Sequence, residues 1–307
     1  MPAIDSRNII EKADIAVSNL VSDGGYLNPE QSNKFIDLII DEPTILNRIR
    51  TVKMNAPKRK IEKIGFQNRI LRPAPSSGTA LADNLRVKPD LDMLQLDTKE
   101  IIAEVWIPYD VLEDNIEHQS MESSIMKHMA RRVSLDLEEL LINGKIGHST
   151  DDYLAIVDGL LQMSVNPIVD ATGKGYTSAL WKSIISSMPT KYLRNLNAMD
   201  YFTSYNTDHE YRDELAKRET GLGDANITGR NPVYGFGVKL TPCALMPNNN
   251  VVLTYPQNII WGIQRDIMIE TDKDIRRRVY QIVMTMRIDF KCETPDALVV
   301  AENIGAV

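Results

Sequence analysis

Between Val279 and Glu293 the chain alternates without interruption. Tyr280, Ile282, Met284, Met286, Ile288, Phe290 and Cys292 share one parity; Gln281, Val283, Thr285, Arg287, Asp289, Lys291 and Glu293 share the other. Only an extended chain repeats every two residues, so this is a long strand whose apolar side covers a core. Three arginines, Arg276, Arg277 and Arg278, run straight into it. If the strand continued backwards, Arg276 and Arg278 would join Tyr280 on the apolar side, and burying them unpaired would be very costly. Either the strand begins or bulges near Val279, or these arginines meet carboxylates across a subunit contact. Asp272 and Asp274 lie close by, which favours a salt-bridged strand entrance over a grip on phosphate.

A second pattern has a helical period. Met121, Ile125, Met129, Val133, Leu137 and Leu141 recur at intervals of four, with Glu122, Lys127, Arg131 and Glu138 elsewhere around the axis. The spacing predicts a helix over 116–142, about 40 Å long, stopped by Asn143-Gly144.

Between the N-terminus and that helix the chain reads as three pieces. Residues 1–28 form an arm. Residues 29–51 form a helical segment opened by Asn28-Pro29-Glu30, with Phe35, Leu38 and Ile39 inward. Residues 52–107 then read as one long hairpin. Its outgoing side is strongly basic (Lys58, Arg59, Lys60, Lys63, Arg69, Arg72), its tip is PAPSSG and its return ends in IIAEVWIP. Such an excursion has too few apolar residues to bury itself, so it is expected to lie on another subunit. Residues 150–266 read as a mixed α/β section. Thr177 caps a helix, AMDYFTSY is a strand, DHEYRDELAKR a helix, and GFGVKLTP, VVLTYP and NIIWGIQ are strands. At 307 residues, two lobes are expected.

Several chemistries find no support. A net charge of −7 argues against a dedicated nucleic-acid binder. Two cysteines, Cys243 and Cys292, with no CxxC, argue for a reducing compartment rather than a disulfide framework. The N-terminus has no continuous apolar core of a leader peptide, and nothing approaches the ~20 apolar residues of a membrane helix. DATGKG (170–175) fails the Walker pattern, with Ile168 where the first glycine belongs and Gly175 after the lysine; an ordinary turn is expected. GFG (235–237) is too short for a dinucleotide fingerprint. His118, His128, His148 and His209 have no metal-ligand spacing. Glu113, Asp114 and Glu117 cluster as helix-start acids do. No enzyme chemistry, cofactor or metal is expected.

The order of segments carries a resemblance. GGYLNPEQSNKFIDLIIDEPTILNRI, AEVWIPYDVLEDNI, MESSIMKHMARRVSLDLEELLINGK and RIDFKCETPDALVV occur in the order and spacing of the major capsid proteins of tailed double-stranded DNA phages, the Hong Kong 97-type fold. The chain resembles that family over residues 24–302. The resemblance implies an α+β fold with an N-arm (1–28), an extended E-loop hairpin (52–107), a P domain (108–149 and 267–307) holding the spine helix and long C-terminal strand, and an A domain (150–266). It implies self-assembly as hexamers and pentamers into an icosahedral shell around DNA, with the shell assembled in the host cytoplasm. A portal protein, a separate scaffolding protein and decoration proteins are the other implied partners, with DNA held by non-specific proximity and no membrane involved. The candidate inter-subunit contacts are Lys58, Arg59, Lys60, Lys63, Arg69 and Arg72 on the E-loop, the acids Glu113, Asp114, Glu117, Glu138 and Glu139, and Arg276, Arg277 and Arg278. Some members cross-link a lysine to an asparagine near the start of the long strand. Arginines occupy that place here, so a non-covalent shell is expected. An encapsulin-type compartment around cargo proteins is the alternative within the fold. A nucleotide-binding enzyme and a free-standing DNA-binding protein are the alternatives outside it.

Overall fold

The structure is a computed structural model and describes residues 44–66, 69–71, 73, 86–109, 121–166, 168–217, 232–264 and 268–305. The expectations for the N-arm, the helix after Asn28, Arg72, Glu113, Asp114 and Glu117 lie outside the described residues. In chain order the strands begin with β1 (Arg50–Met54), β2 (Lys58–Gly65), β3 (Asp90–Asp97) and β4 (Lys99–Pro108), followed by helix α1 (Met121–Asn143). Next come β5 (Val169–Asp170), α2 (Ser178–Ser187), β6 (Asp200–Thr203), α3 (Tyr205–Ala216), β7 (Tyr234–Gly235) and β8 (Val238–Pro242). The chain closes through β9 (Val251–Thr254), β10 (Ile259–Gln264), β11 (Met268–Asp274), β12 (Val279–Cys292) and β13 (Leu298–Glu302).

β12 organises a five-stranded sheet. β4 runs antiparallel along one side of it from Val279 to Ile288. β11 and then β10 line the other side, and β1 adds parallel to β10. Burial alternates along β12 as the sequence predicts: every even residue from Tyr280 to Cys292 is buried. The strand begins at Val279, so Arg276 and Arg278 never reach the apolar side.

The second sheet has six strands in the order β5-β13-β9-β6-β8-β7. It is covered on both faces, which is why DYFT and VVLT read as unbroken buried runs. Tyr201, Leu253 and Val299 face a core completed by Leu180, Trp181 and Ile184 of α2 and Tyr211 of α3. Phe202, Val252 and Val300 face a larger core shared with α1, the turn at 44–48 and the inner face of the first sheet. α1 is buried along Met129, Leu137 and Leu141, and also along Ala130, Ser134 and Glu138. A residue every four positions advances about 40° too far around a helix, so one such row cannot cover a whole buried face; the neighbouring row supplies the rest. Gly144 ends the helix by close approach: a Cβ there would lie 2.4 Å from Val157 O and 2.5 Å from Leu140 O.

Sheet membership crosses three of the expected boundaries. β1 and β4, read as flanks of one long hairpin, join opposite sides of the five-stranded sheet, because Val52 and Met54, and Ile101, Ala103, Val105 and Ile107, alternate and pack on cores. Only β2 and β3 remain as a projecting two-stranded arm. β10 pairs with β12 rather than with the six-stranded sheet, whereas β13 leaves β12 to lie between β9 and β5.

Candidate assembly interface

The arm is a register of β2 on β3 running from Lys58↔Asp97 to Gly65↔Asp90. Its root is anchored: Met54, Leu96 and Ile260 bury one another completely. Thr98 donates from both its amide and its hydroxyl to Pro57 O, at 2.9 and 3.0 Å. The Asp97 amide donates to Asp289 Oδ2 at 2.8 Å. Asp289 is the one buried odd-numbered residue of β12, and burial pushes its carboxyl up against the opposing pull of that amide.

The basic residues of the arm divide into two groups. Lys58 pairs with Asp97 at 3.2 Å, and Arg59 donates to Lys53 O at 2.9 Å. Lys63 reaches back to Glu293 O and, at 3.1 Å, to Thr294 Oγ1, just beyond β12. These three are occupied within the subunit, Lys58 across the arm's own two strands and Arg59 and Lys63 to residues outside it. Lys60 and Arg69 are exposed and have no ion-pair partner among the described residues. Beside them the outer arm exposes apolar groups, notably Ile64, Phe66 and Leu71, the last 84% exposed.

The arginine triplet forms the tip of the β11–β12 hairpin, closed by the pair Asp274↔Val279. Asp274 Oδ1 accepts from the amides of Arg276 and Arg277, at 2.9 and 3.1 Å. Arg277 also pairs with Asp274 at 3.7 Å and lies 5.1 Å over the ring of Trp106. Arg278 takes a left-handed φ of 52° and its carbonyl accepts from the Tyr109 amide. Arg276 and Arg278 are left at the exposed end with Ile275, which is 80% exposed.

The two described acids proposed for the arm differ. Glu139 is half-buried. Glu138 is buried and its Oε1 accepts from the Ile45 amide at 2.8 Å, so it fixes the turn before β1 and does not present a surface for a neighbour. Its burial raises its pKa, opposed by the Ile45 and Thr44 amides. Close by, Arg48 meets Asp200 at 2.6 Å and Thr241 Oγ1 at 2.9 Å, tying the same turn to the six-stranded sheet. Asp200 also has a raised pKa: its desolvation outweighs the attraction of Arg48. Neither contact had a local signal, since one of two arginines in ILNRIR and one acid on a charged helix look like surface residues.

The DATGKG segment is a turn. Lys174 Nζ donates to Asp170 O at 2.8 Å, and Gly173 and Gly175 take positive φ. Among the described residues no cluster of His, Cys, Asp and Glu could hold a metal ion, and no helix is long and apolar enough to cross a membrane.

No protein-family profile matches the chain. It is 40% identical over 304 residues to a Bacillus subtilis (strain 168) protein named "Putative prophage capsid protein YqbE", covering 95% of this chain and 97% of that one. Its fold is similar to the satellite phage P4 procapsid structure, with a TM-score of 0.71 at 15% identity over 99% of both chains. It is also similar to the SrpI encapsulin of Synechococcus elongatus PCC 7942, with a TM-score of 0.58 at 11% identity over 86% of this chain and 88% of that one. At such identities the two structures share the fold alone. Full-length similarity in sequence separates the phage reading from the encapsulin one, and the role is that of a structural shell protein of the virion. The chain belongs to the major capsid protein family of tailed double-stranded DNA phages, with the Hong Kong 97-type fold.

Proposed function

We propose that this chain assembles as hexamers and pentamers into an icosahedral shell around packaged double-stranded DNA. The observation that carries the reading is full-length similarity to a prophage capsid protein, joined to a fold that leaves a basic, apolar arm without cover. Assembly takes place in the host cytoplasm, with a portal protein, a separate scaffolding protein and decoration proteins as partners. The five-stranded sheet with α1 acts as the P domain and the six-stranded sheet as the A domain. Lys60, Arg69 and Arg72 of the arm meet acids of a neighbouring subunit, with Glu113, Asp114, Glu117 and Glu139 as candidates. Lys58, Arg59 and Lys63 aim the arm. Arg276 and Arg278 supply a second cationic contact. Each exposed pair is worth under about 1 kcal/mol, so stability comes from repetition and assembly errors stay reversible. The subunits serve as structure, without catalysis and without covalent cross-links.

The test is expression of the full chain with its scaffolding protein, followed by electron microscopy. Closed shells are expected, filled with DNA in the infected or induced host and dissolving in hot detergent to single chains. Protein that stays monomeric with its scaffold present overturns the reading. Shells that hold a protein cargo and no DNA favour the compartment alternative.

A further inference from the structure

The GFG segment, too short to bind a dinucleotide, has a different use. It is the two-residue turn of the β7–β8 hairpin, where Gly235 pairs with Val238. Phe236 has φ 49° and Gly237 φ 87°, the left-handed pair of a type I′ turn. Asparagine, aspartate or glycine normally fills the first of these positions; a bulky aromatic there is strained. The ring is only half covered in return within the subunit: Phe236 is 52% exposed and Tyr234, two residues earlier, is 54% exposed. Inward, the turn is fixed, because Gly235 sits against Trp181 so closely that a Cβ would lie 3.1 Å from its ring. A strained, exposed aromatic on a rigid base suits an intermolecular contact.

β7 is one edge of the six-stranded sheet, and β5 is the opposite edge. That opposite edge is also apolar and also fixed. Ile168 is 54% exposed and Val165 69% exposed. Ser164 and Asn166, on either side of Val165, donate to Leu298 O at 3.0 and 2.8 Å, holding the loop to β13. Charge is complementary too: exposed Lys239 is the register partner of Tyr234, and exposed Asp170 lies on β5. Two unlike, complementary edges on one rigid sheet make a head-to-tail interface, the type that builds a ring wherever the rotation between copies closes, as the hexamers and pentamers of the shell reading require.

We propose that the aromatic edge (Tyr234, Phe236) of one subunit packs against the aliphatic edge (Val165, Ile168) of a second copy, forming the ring contact of the six-stranded sheets. This rests on the shell reading above and names one of its contacts.

The test uses full-length Phe236→Asn and Ile168→Asp beside the parent. Asparagine accepts the left-handed turn, so Phe236→Asn should raise the melting temperature of the isolated subunit by roughly 1–3 °C. It should also raise the protein concentration needed for half-assembly, read by sedimentation, by roughly tenfold. Ile168→Asp should leave melting unchanged and impair assembly equally. If either variant assembles at the parental concentration, or if Phe236→Asn melts lower than the parent, the inference is overturned while the shell reading stands. If the parent itself never assembles, the shell reading fails first.

Discussion

Glu138 shows how far a residue's role can depart from its sequence neighbourhood. On a helix with acids and bases along it, Glu138 reads as solvated, yet it is 2% exposed and accepts backbone amides from the turn before β1. Glu138→Ala would leave those amides unpaired in an apolar setting and should cost about 1–3 kcal/mol of subunit stability. Glu138→Gln keeps an acceptor and should cost less, so urea denaturation of the two variants separates hydrogen bonding from charge. The charge itself has a pH signature. Burial raises the folded pKa of both Glu138 and Asp200 above their ordinary values. Their favourable contribution is therefore complete below about pH 4, where the unfolded carboxyls also bind protons, and is lost as pH rises through the raised folded values. Melting curves taken across mildly acidic to neutral pH should show the parent losing stability relative to Glu138→Gln as pH rises. A parent that gains stability relative to Glu138→Gln as pH rises contradicts this sign.

Among elements, β12 was legible because its signal is periodic and its burial follows parity residue by residue. That parity makes a sharp prediction: Ile282→Ala should cost about 2–5 kcal/mol, whereas Gln281→Ala, one residue away on the outer face, should stay within about 0.5 kcal/mol. Equal losses in denaturant titrations would mean the sheet is covered on both faces. α1 was legible for the same reason, but only half of its buried face was, since Ala130, Ser134 and Glu138 carry no hydrophobic mark of that face. β11, MIETDKD, was missed because its polar run imitates a loop; it pairs through its backbone with β12 and carries Asp274, which shapes the arginine tip. β13 was seen as a strand and grouped with β12, whereas it pairs with β9 and β5. LVVAE is apolar on both faces, and such a strand suits any doubly covered sheet; pattern alone does not choose its partner. The candidate contacts were legible as charges and not as contacts. Whether Lys60 stays exposed while Lys63 bonds to Glu293 depends on where the arm's root is held, which long-range pairing decides.

At the scale of the molecule, charge is unevenly distributed. The chain carries −7 overall, yet residues 58–73 hold Lys58, Arg59, Lys60, Lys63, Arg69 and Arg72 against the single acid Glu62. The remainder is therefore more acidic than the total suggests, which is the charge asymmetry that the proposed docking of one subunit's arm on another subunit's body would use. The outer arm also exposes Ile64, Phe66 and Leu71, so its docking combines a screened term with an apolar one. Salt separates the two. Between about 0.1 M and 1 M the screening length falls from roughly 10 Å to 3 Å, which weakens exposed charge pairs and leaves apolar burial intact. A variant with Lys60, Arg69 and Arg72 all changed to glutamine should need more protein for half-assembly at low salt and show little further change as salt rises. The parent should lose its advantage progressively over the same range. Phe66→Ser with Leu71→Ser should behave in the opposite way, impaired at every salt concentration, with an unchanged melting temperature for the isolated subunit because both side chains are already exposed. Parallel salt curves for the glutamine variant and the parent would show that these three charges take no part in docking and would leave the apolar groups as the arm's grip.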